Sequence, residues 1–392
     1  MSEKVKLGII GIGNMGGAHL QNYVDGVMPE IEVTCVADID EKKFENARKK
    51  VPGIVCFNNA TDLIQSGLCE AVIIATPHYF HPPIAIEALK AGLHVMSEKP
   101  AGVYTKQVNE LIDFAKTQDK TYAIMFNQRT NCVYRKVKEM VSGGKYGEIK
   151  RVNWIITDWF RTQQYYNSGG WRATWSGEGG GVMLNQCPHQ LDLWQWICGM
   201  PLKVRAFCNV GKWHDIEVED DVTIYVEYPN GATGTFITTT GDYPGTNRLE
   251  ITMSKAKIVC QHNQMTGKWE ILLFELEEDV NEYIKNSDNG FGSIKGEWKE
   301  VETDGLNEQH AGVMNAFAAH ILRGEPLVAE GAEGINGLTI SNAAFLSSWL
   351  EKTVELPIDA DLYYDMLQEK IKNSNFVKVV NEQTVTDMSS TY

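Results

Sequence analysis

The chain has no long apolar run and no cluster of basic residues. Its 392 residues contain no stretch approaching the ~20 uninterrupted apolar positions that a membrane-spanning helix needs. Acidic residues outnumber basic ones by 51 to 36, for a formal net charge of −15, and the basic residues are dispersed, which argues against nucleic acid as a partner. We therefore expect neither membrane nor nucleic-acid binding, and a cytoplasmic location.

Cysteine pairing is also missing. The eight cysteines are scattered and form no C-x-x-C pair, so the sequence predicts free thiols, with no disulfides and no metal site. Apolar residues make up 43% of the chain and charged residues 22%, which is typical of a globular protein and argues against disorder. The length favours two or three domains.

Two patterns divide the chain. In residues 1–127, short apolar runs that alternate with helical stretches predict a doubly wound α/β domain, because continuous apolar strands are buried on both faces. The predicted strands are Val5–Ile10, Ile31–Ala37, Ala71–Ala75, Leu93–Met96 and Tyr122–Phe126. In residues 128–392, alternating segments separated by turns such as Pro229-Asn230-Gly231 predict an α+β domain with a mainly antiparallel open sheet.

A glycine-rich turn follows the first predicted strand and opens a helix. Its sequence is Gly11-Ile12-Gly13-Asn14-Met15-Gly16. The first glycine allows a tight turn, the second lets the backbone approach a pyrophosphate, and the third permits close packing of helix on strand. In this strand–turn–helix context, the motif predicts a dinucleotide site on the N–H groups of the helix N-terminus.

Asp38 ends the second predicted strand, about twenty residues after the last glycine of the turn. A carboxylate there accepts hydrogen bonds from the adenosine ribose and repels the 2′-phosphate of NADP. The sequence therefore favours NAD over NADP, although Lys42 and Lys43 leave NADP open. Alternatively, Asp38 caps the helix that follows.

Lys99 stands in Glu98-Lys99-Pro100, just beyond the fourth predicted strand. Ligands of open α/β sheets bind beyond the carboxyl ends of the strands, so this ammonium is expected on the nicotinamide side, where it would stabilise a developing alkoxide. The alternative is a surface charge at a turn.

A polar pattern follows the triple glycine Gly179-Gly180-Gly181. Leu184–Cys198 has helical spacing, and Asn185, His189 and Asp192 would then share one helix face. Histidine is the side chain best suited to accept a hydroxyl proton near neutral pH. The sequence thus predicts a polar stripe with His189 as acid–base group, the alternative being a core histidine.

These motifs together resemble the glucose–fructose oxidoreductase/inositol dehydrogenase/MocA family over residues 5 to about 360. Besides the glycine turn, the resemblance rests on four segments: Ala91-Gly92 with Glu98-Lys99-Pro100; the triple glycine with Asn185, His189 and Asp192; Thr76-Pro77-His78 with His81; and Asn127-Gln128-Arg129. It implies a Rossmann domain, NAD as cofactor and a homodimer or homotetramer formed through the C-terminal sheet.

The resemblance also implies roles for individual residues. Lys99 and His189 would be catalytic and Asn185 supporting; the family usually has Asp there, and an amide cannot take a proton, so His189 is expected to carry the acid–base step. Cys187 and Pro188 are further departures from the family pattern. Expected cofactor contacts are Gly11, Gly13, Asn14, Met15, Gly16, Asp38, Thr76, Pro77, His81, Glu98, Lys99 and Asn127.

An aromatic and basic loop precedes the triple glycine and is typical of a site for a hydroxyl-rich ring. Candidate substrate contacts are Arg161, Tyr165, Trp171, Arg172 and Trp175, together with Lys99, Asn185, His189 and His310; packing at an interface is the alternative for the loop residues. The predicted activity is NAD-dependent oxidation of a secondary hydroxyl of a sugar, cyclitol or glycoside. A redox-neutral glycosidase or lyase, a reductase of a keto sugar and a non-catalytic NAD-binding protein remain alternatives.

Overall fold

In a computed structural model, which describes residues 4–380, the first part of the chain forms a parallel six-stranded sheet in the order β3-β2-β1-β4-β5-β6. Its strands are β1 (Val5–Ile10), β2 (Ile31–Ala37), β3 (Val55–Phe57), β4 (Ala71–Ile74), β5 (His94–Ser97) and β6 (Tyr122–Ile124). Its helices are α1 (Asn14–Val24), α2 (Lys42–Lys50), α3 (Ala60–Gln65), α4 (His81–Lys90) and α5 (Thr105–Ala115). Strand β3 was not predicted, because a three-residue edge strand is too short to produce an apolar run.

The second part contains a nine-stranded sheet in the order β14-β13-β12-β11-β7-β10-β9-β8-β15. Its strands are β7 (Ile149–Ile156), β8 (Lys203–Val210), β9 (Glu219–Glu227), β10 (Thr233–Thr239), β11 (Asn247–Met253), β12 (Ala256–Asn263), β13 (Lys268–Leu276), β14 (Gly296–Glu300) and β15 (Val354–Glu355). Neighbouring strands are antiparallel except for the parallel pair β7 and β10, so the predicted, mainly antiparallel sheet is confirmed.

The helices of this second part are α6 (Cys132–Ser142), α7 (Gln163–Asn167), α8 (Pro188–Cys198), α9 (Val280–Asn286), α10 (Gln309–Arg323), α11 (Gly334–Trp349) and α12 (Ala360–Asn373). Of these, α6, α8 and α11 pack on one face of the sheet. Buried and partly exposed residues alternate along β10 and β11, as expected for a sheet with one packed face. On the other face Phe207 is 57% exposed, Tyr225 39% and Ile155 37%. Assembly through that face stays a prediction.

The two parts of the chain are joined by a helix that crosses back. α10 places Val313, Met314 and Phe317 in the apolar core formed by β1 and β2 of the first sheet, although it follows the second sheet in sequence. A division after residue 127 therefore places α10 in the second domain, although the helix packs in the core of the first. Within residues 4–380, no helix has both the length and the apolar character needed to cross a membrane.

Candidate functional site

The glycine turn between β1 and α1 has the shape that its sequence predicts. Gly11 has a φ of +87°, and a Cβ added there would lie 2.7 Å from the carbonyl oxygen of Ala75. A Cβ on Gly16 would lie 1.8 Å from the carbonyl oxygen of Gly11. At Gly13 nothing lies within 4 Å of that position, so the backbone is open to a ligand. A pyrophosphate fits at this point, beside the first N–H groups of α1.

Asp38 lies beside this turn and does not cap α2. Its Oδ2 accepts a hydrogen bond from the N–H of Ile12 at 2.9 Å, and its Oδ1 accepts one from the N–H of Asp40 at 2.9 Å. The ammonium of Lys43 lies 3.0 Å from both carboxylate oxygens. Capping was therefore the wrong alternative, because the carboxylate faces the glycine turn.

The remaining candidate cofactor residues lie at the carboxyl ends of β4, β5 and β6. Thr76 and Pro77 lie just beyond β4, after Ala75, and the buried hydroxyl of Thr76 has no hydrogen-bond partner among residues 4–380. The buried amide of Asn127 donates from Nδ2 to Gln309 at 2.5 Å, while its Oδ1 has no partner there. These buried polar atoms without partners, together with the open turn, fit a dinucleotide that lies across the strand ends.

His81 holds the backbone rather than facing the open site. Its two ring nitrogens lie 2.8 Å from the carbonyl oxygen of Pro100 and 2.7 Å from that of Thr76. The ring thereby ties the loop after β4 to the loop that carries Lys99. We accordingly propose for His81 a role in shaping both loops, in place of a direct cofactor contact.

Glu98 is buried in a cluster of histidines beneath Lys99. His19 Nε2 lies 2.7 Å from Glu98 Oε1, and the ring of His310 lies 5.5 Å from that of His19 in an edge-on arrangement. Burial would raise the pKa of Glu98, but the hydrogen bond from His19 and nearby positive charges lower it to about 2. Burial also lowers the pKa of His310, to about 4. Glu98 is therefore an anion near neutral pH, while His310 is neutral.

Lys99 reaches from the first part of the chain to the second. Its Nζ donates to the carbonyl oxygen of Asn185 at 3.2 Å. Burial lowers the pKa of Lys99, and the charge of Arg172 lowers it further, while Glu98 and Glu178 oppose the shift. The ammonium thus lies where it can both donate a hydrogen bond and lose a proton more readily than a surface lysine.

His189 is a buried imidazole on the first turn of α8. Only 3% of the residue is exposed, and neither ring nitrogen has a hydrogen-bond partner among the described residues. Burial lowers its pKa well below the usual value, and the charge of Lys99 acts in the same direction. The ring is therefore neutral near pH 7, and its nitrogens are available to a bound molecule.

The predicted polar stripe of Asn185, His189 and Asp192 is wrong. α8 begins at Pro188, so Asn185 lies in the preceding turn and not on the helix. Asp192 is buried and accepts two hydrogen bonds from Arg129, at 2.8 and 2.7 Å. Of the three, His189 alone is a side chain without an internal partner among residues 4–380.

Asn185 belongs to a network with the aromatic loop. Its Nδ2 donates to the buried carboxylate of Glu178, and its Oδ1 accepts a hydrogen bond from the hydroxyl of Tyr165 at 3.1 Å. That hydroxyl accepts in turn from Arg172 Nη1 at 2.7 Å and from Gln186 Nε2 at 2.9 Å. The side-chain amide of Asn185 is thus held from both sides, while its backbone carbonyl accepts the hydrogen bond from Lys99.

The loop residues divide into a site group and a core group. Arg161 and Arg172 stack on Tyr165, and Trp171 packs edge-on against His78 with ring centroids 5.5 Å apart. Of these residues, Arg172 is linked to Asn185 through the hydroxyl of Tyr165, and their contact with substrate stays a prediction. Trp175, however, is 5% exposed and packs on Phe345 and Trp349 in the apolar core, and we therefore no longer propose it as a substrate contact.

Three residues that support the site, Glu178, Glu219 and Lys378, were not predicted from the sequence. Glu178 stands inside a run of glycines, a signal that could have indicated a buried carboxylate. Glu219 accepts hydrogen bonds from the N–H groups of Gly181 and Met183 and so holds the triple-glycine turn. Lys378 donates to the carbonyl of Tyr166 from the far end of the chain, and no local pattern indicates that contact. Across residues 4–380, no three His, Cys, Asp or Glu side chains group in a way that could hold a metal ion.

A doubly wound sheet with an open glycine turn, followed by a sheet domain that contributes a histidine beside Lys99, is the architecture of dinucleotide-dependent oxidoreductases. Residues 5–126 match the family model described as oxidoreductase family, NAD-binding Rossmann fold, and residues 134–259 match that of the GFO/IDH/MocA C-terminal domain. The chain therefore belongs to the GFO/IDH/MocA oxidoreductase family, which confirms the resemblance, the fold class and NAD as the cofactor of the first domain.

Curated relatives and solved structures agree with this assignment. Inositol 2-dehydrogenase from Corynebacterium glutamicum (strain R) is 27% identical over 200 residues, which are 51% of this chain and 56% of that protein, so the chain spans about half the length of that relative. Myo-inositol 2-dehydrogenase from Thermotoga maritima is 22% identical over 90% of this chain and 98% of its own length. The WlbA dehydrogenase from Chromobactrium violaceum, solved with NADH and UDP-GlcNAcA, has a TM-score of 0.77 and 26% identity over 92% of this chain and 98% of its own.

Proposed function

We propose that the protein is an NAD-dependent dehydrogenase that oxidises a secondary hydroxyl of a sugar, a cyclitol or a glycoside. One observation carries the proposal: the ammonium of Lys99 crosses to the carbonyl of Asn185, four residues before a buried histidine whose nitrogens have no partner among residues 4–380. A substrate hydroxyl between Lys99 and His189 would satisfy the imidazole nitrogens that are otherwise left without hydrogen bonds in the described chain.

The proposed chemistry follows from the charges of these groups. Neutral His189 accepts the hydroxyl proton, and its depressed pKa keeps the base form available at neutral pH. Lys99 donates a hydrogen bond to the oxygen as negative charge develops there. Bound NAD supplies the hydride acceptor. Asn185 positions Lys99 through its carbonyl and takes no proton itself.

The names of similar proteins support the substrate class. Relatives are named inositol 2-dehydrogenase, and a structure with the same fold is that of a levoglucosan dehydrogenase with NADH, at 21% identity and a TM-score of 0.76. A cyclitol and an anhydrosugar both present secondary hydroxyls on a ring. For this chain we extend the proposal only to that shared chemistry, with a soluble small molecule as the reaction partner and the cytoplasm as the proposed location.

The test compares two site variants with a matched histidine. Lys99→Met and His189→Ala are expected to lower kcat by about 100- to 10,000-fold, as for loss of a general acid–base group, and to leave the Kd for NADH nearly unchanged. His262→Ala, on strand β12, is the control and should keep full activity. Activity at the level of the natural protein in either site variant would refute the assigned roles.

Product analysis separates the alternatives. A dehydrogenase accumulates NADH in proportion to the hydroxyl oxidised, whereas a redox-neutral glycosidase or lyase releases an aglycone with little net NADH. A reductase would consume NADH when a keto sugar is supplied, and the position of the equilibrium would show which direction is favoured. No turnover with intact NADH binding would leave the non-catalytic alternative.

A further inference from the structure

Two arginine side chains stack on Tyr165 at the substrate side of the site. The guanidinium carbons of Arg161 and Arg172 lie 5.2 and 4.5 Å from the centroid of that ring. The hydroxyl of Tyr165 donates to Asn185, whose carbonyl accepts from Lys99. Arg172, which donates to the hydroxyl of Tyr165, is therefore separated from Lys99 by only two residues of one hydrogen-bond network, and Arg161 adjoins that network through the Tyr165 ring.

Neither guanidinium is neutralised by a hydrogen-bonded carboxylate among residues 4–380. Arg161 Nη1 donates to the carbonyl of Phe160 at 2.8 Å. Arg172 comes no closer than 3.9 Å to Glu178, and its buried Nε has no hydrogen-bond partner in the described chain. The oxygens of Glu178 already accept from Asn185 and from the N–H of Ala173, and burial raises the pKa of this carboxyl. Both guanidinium groups therefore keep N–H groups that no carboxylate of the described chain accepts through a hydrogen bond.

The segment 374–380, which follows α12, adds a third cation. It is tied to the aromatic loop at two points, where Ser374 Oγ donates to Glu217 and where Lys378 Nζ donates to the carbonyl of Tyr166. Val380 lies beside Gly170 of the same loop. Burial lowers the pKa of Lys378, while Glu178 raises it and Arg172 lowers it, so this ammonium shares the electrostatic surroundings of the site.

We propose that Arg161, Arg172 and Lys378 form a subsite for an anionic group, a carboxylate or a phosphate, carried by the sugar that is oxidised at Lys99 and His189. The inference rests on the proposed function. In a chain of net charge −15, three cations around the loop that carries Tyr165 and Tyr166 are a local feature and do not reflect the overall composition. Guanidinium groups bind carboxylates and phosphates through paired hydrogen bonds, and the arginine N–H groups not used internally suit that geometry.

Matched sugars test the charge requirement. D-glucuronate and D-galacturonate are each compared with the neutral methyl ester of the same sugar, and glucose 6-phosphate with glucose, with NAD at saturation. We expect kcat/KM for at least one acid to exceed that of its neutral partner by about tenfold, and the preference to shrink as salt is raised. The carboxylate and phosphate series identify which anion the subsite takes. Equal kcat/KM within all three pairs would overturn the subsite.

A charge variant assigns the effect to the segment. Lys378→Gln is expected to reduce the preference for the acid over its ester by about fivefold, and Lys378→Arg to restore it. Lys372→Gln, on the exposed end of α12, removes the same charge outside the cluster and should leave the preference unchanged. Because Lys378 lies on an exposed segment, its loss does not threaten the core. A preference that is identical in Lys378→Gln and the natural protein would remove Lys378 from the subsite.

Binding separates this inference from the proposed function. The melting temperature of the NADH complex is measured with each acid and each ester. A rise with an acid and not with its ester supports the subsite even if no sugar is oxidised, in which case the proposed function fails alone. If neutral sugars are oxidised as fast as the acids, and no acid raises the melting temperature more than its ester does, the proposed function stands and the subsite is refuted.

Discussion

The cofactor side and the substrate side of the site are built in different ways. On the cofactor side, the pyrophosphate position is shaped by backbone groups within one six-residue turn, and the key residues are glycines. On the proposed substrate side, the side chains come from separate segments near residues 99, 161–189, 310 and 378. A backbone site fails when atoms are added, whereas a side-chain network fails when partners are removed. The two sides should therefore respond to opposite kinds of substitution.

The largest effect is expected at the buried ion pair that begins the second part of the chain. Arg129 donates to Asp192 at 2.8 and 2.7 Å and to Glu333 at 2.7 Å, and its guanidinium lies over Phe126 and Trp196. Arg129→Met leaves buried Asp192 without its countercharge and should lower the free energy of unfolding by about 3–5 kcal/mol. A urea titration measures the change.

The control for this prediction is an exposed ion pair. Lys116 pairs with Asp113 on the surface of α5, with both side chains mostly exposed. Lys116→Met should change the free energy of unfolding by less than about 1 kcal/mol. If Arg129→Met were as mild as Lys116→Met, burial would not make the Arg129–Asp192 pair more important to stability than an exposed pair.

The next effect tests the backbone side. In Gly16→Ala the new methyl group would meet the carbonyl oxygen of Gly11, so the turn must open, and NADH binding should weaken by about 100-fold. Gly13→Ala has room in the free protein, so it should fold normally and still bind NADH more weakly. Gly17→Ala, where the nearest atom is 3.9 Å away, is the control. The measurement is a fluorescence titration with NADH. Equal affinities in the Gly13, Gly16 and Gly17 variants would show that the turn does not hold the cofactor.

The cofactor domain is readily predicted from sequence because its signals are local. Continuous apolar strands, a glycine turn and Asp38 follow one another within forty residues, and their order defines the fold. The short strand β3 and the return of α10 to the first core could not be predicted in this way. Each depends on contacts with distant segments, and neither leaves a periodic pattern of its own.

The substrate side could be predicted only in part. Lys99 and His189 stand in recognisable motifs, but the partners of Asn185 and Asp192 do not. Asp192 pairs with a residue 63 positions away, and nothing in the sequence near α8 indicates it. One signal was overlooked: Pro188 is favoured at the first turn of a helix, and it places the start of α8 after Asn185.

A smaller effect is expected from the buried carboxylate of the network. Glu178 holds the amide of Asn185 and raises the pKa of Lys99. Glu178→Gln should lower kcat by about 30-fold, about 2 kcal/mol for a charge-assisted hydrogen bond. With less negative charge nearby, the pKa of Lys99 falls further, so the ammonium is lost sooner as pH rises. The alkaline limb of the pH–rate profile should move to lower pH.

A double substitution sharpens this prediction. Asn185→Asp alone places two carboxyl groups side by side and should also lower kcat. Glu178→Gln combined with Asn185→Asp exchanges the acid and the amide, so one carboxylate again lies in the network and part of the lost activity should return. A double variant as slow as the product of the two single losses would show that the pair does not act as a unit.

The smallest effect concerns the choice between NAD and NADP, and it links the two kinds of site. Asp38 holds Lys43 with both carboxylate oxygens at 3.0 Å, so a side-chain pair lies at the edge of the backbone turn. Asp38→Ser removes the charge that repels a 2′-phosphate and frees Lys43 to meet it. Because Lys43 is partly exposed, the binding free energy of NADP should improve by only about 1 kcal/mol relative to that of NAD. The ratio of Kd for NADP to Kd for NAD should therefore fall by about fivefold. Adding Lys43→Met should cancel that gain; if the ratio stays low in the double variant, repulsion by Asp38 alone sets the preference and Lys43 has no part in it.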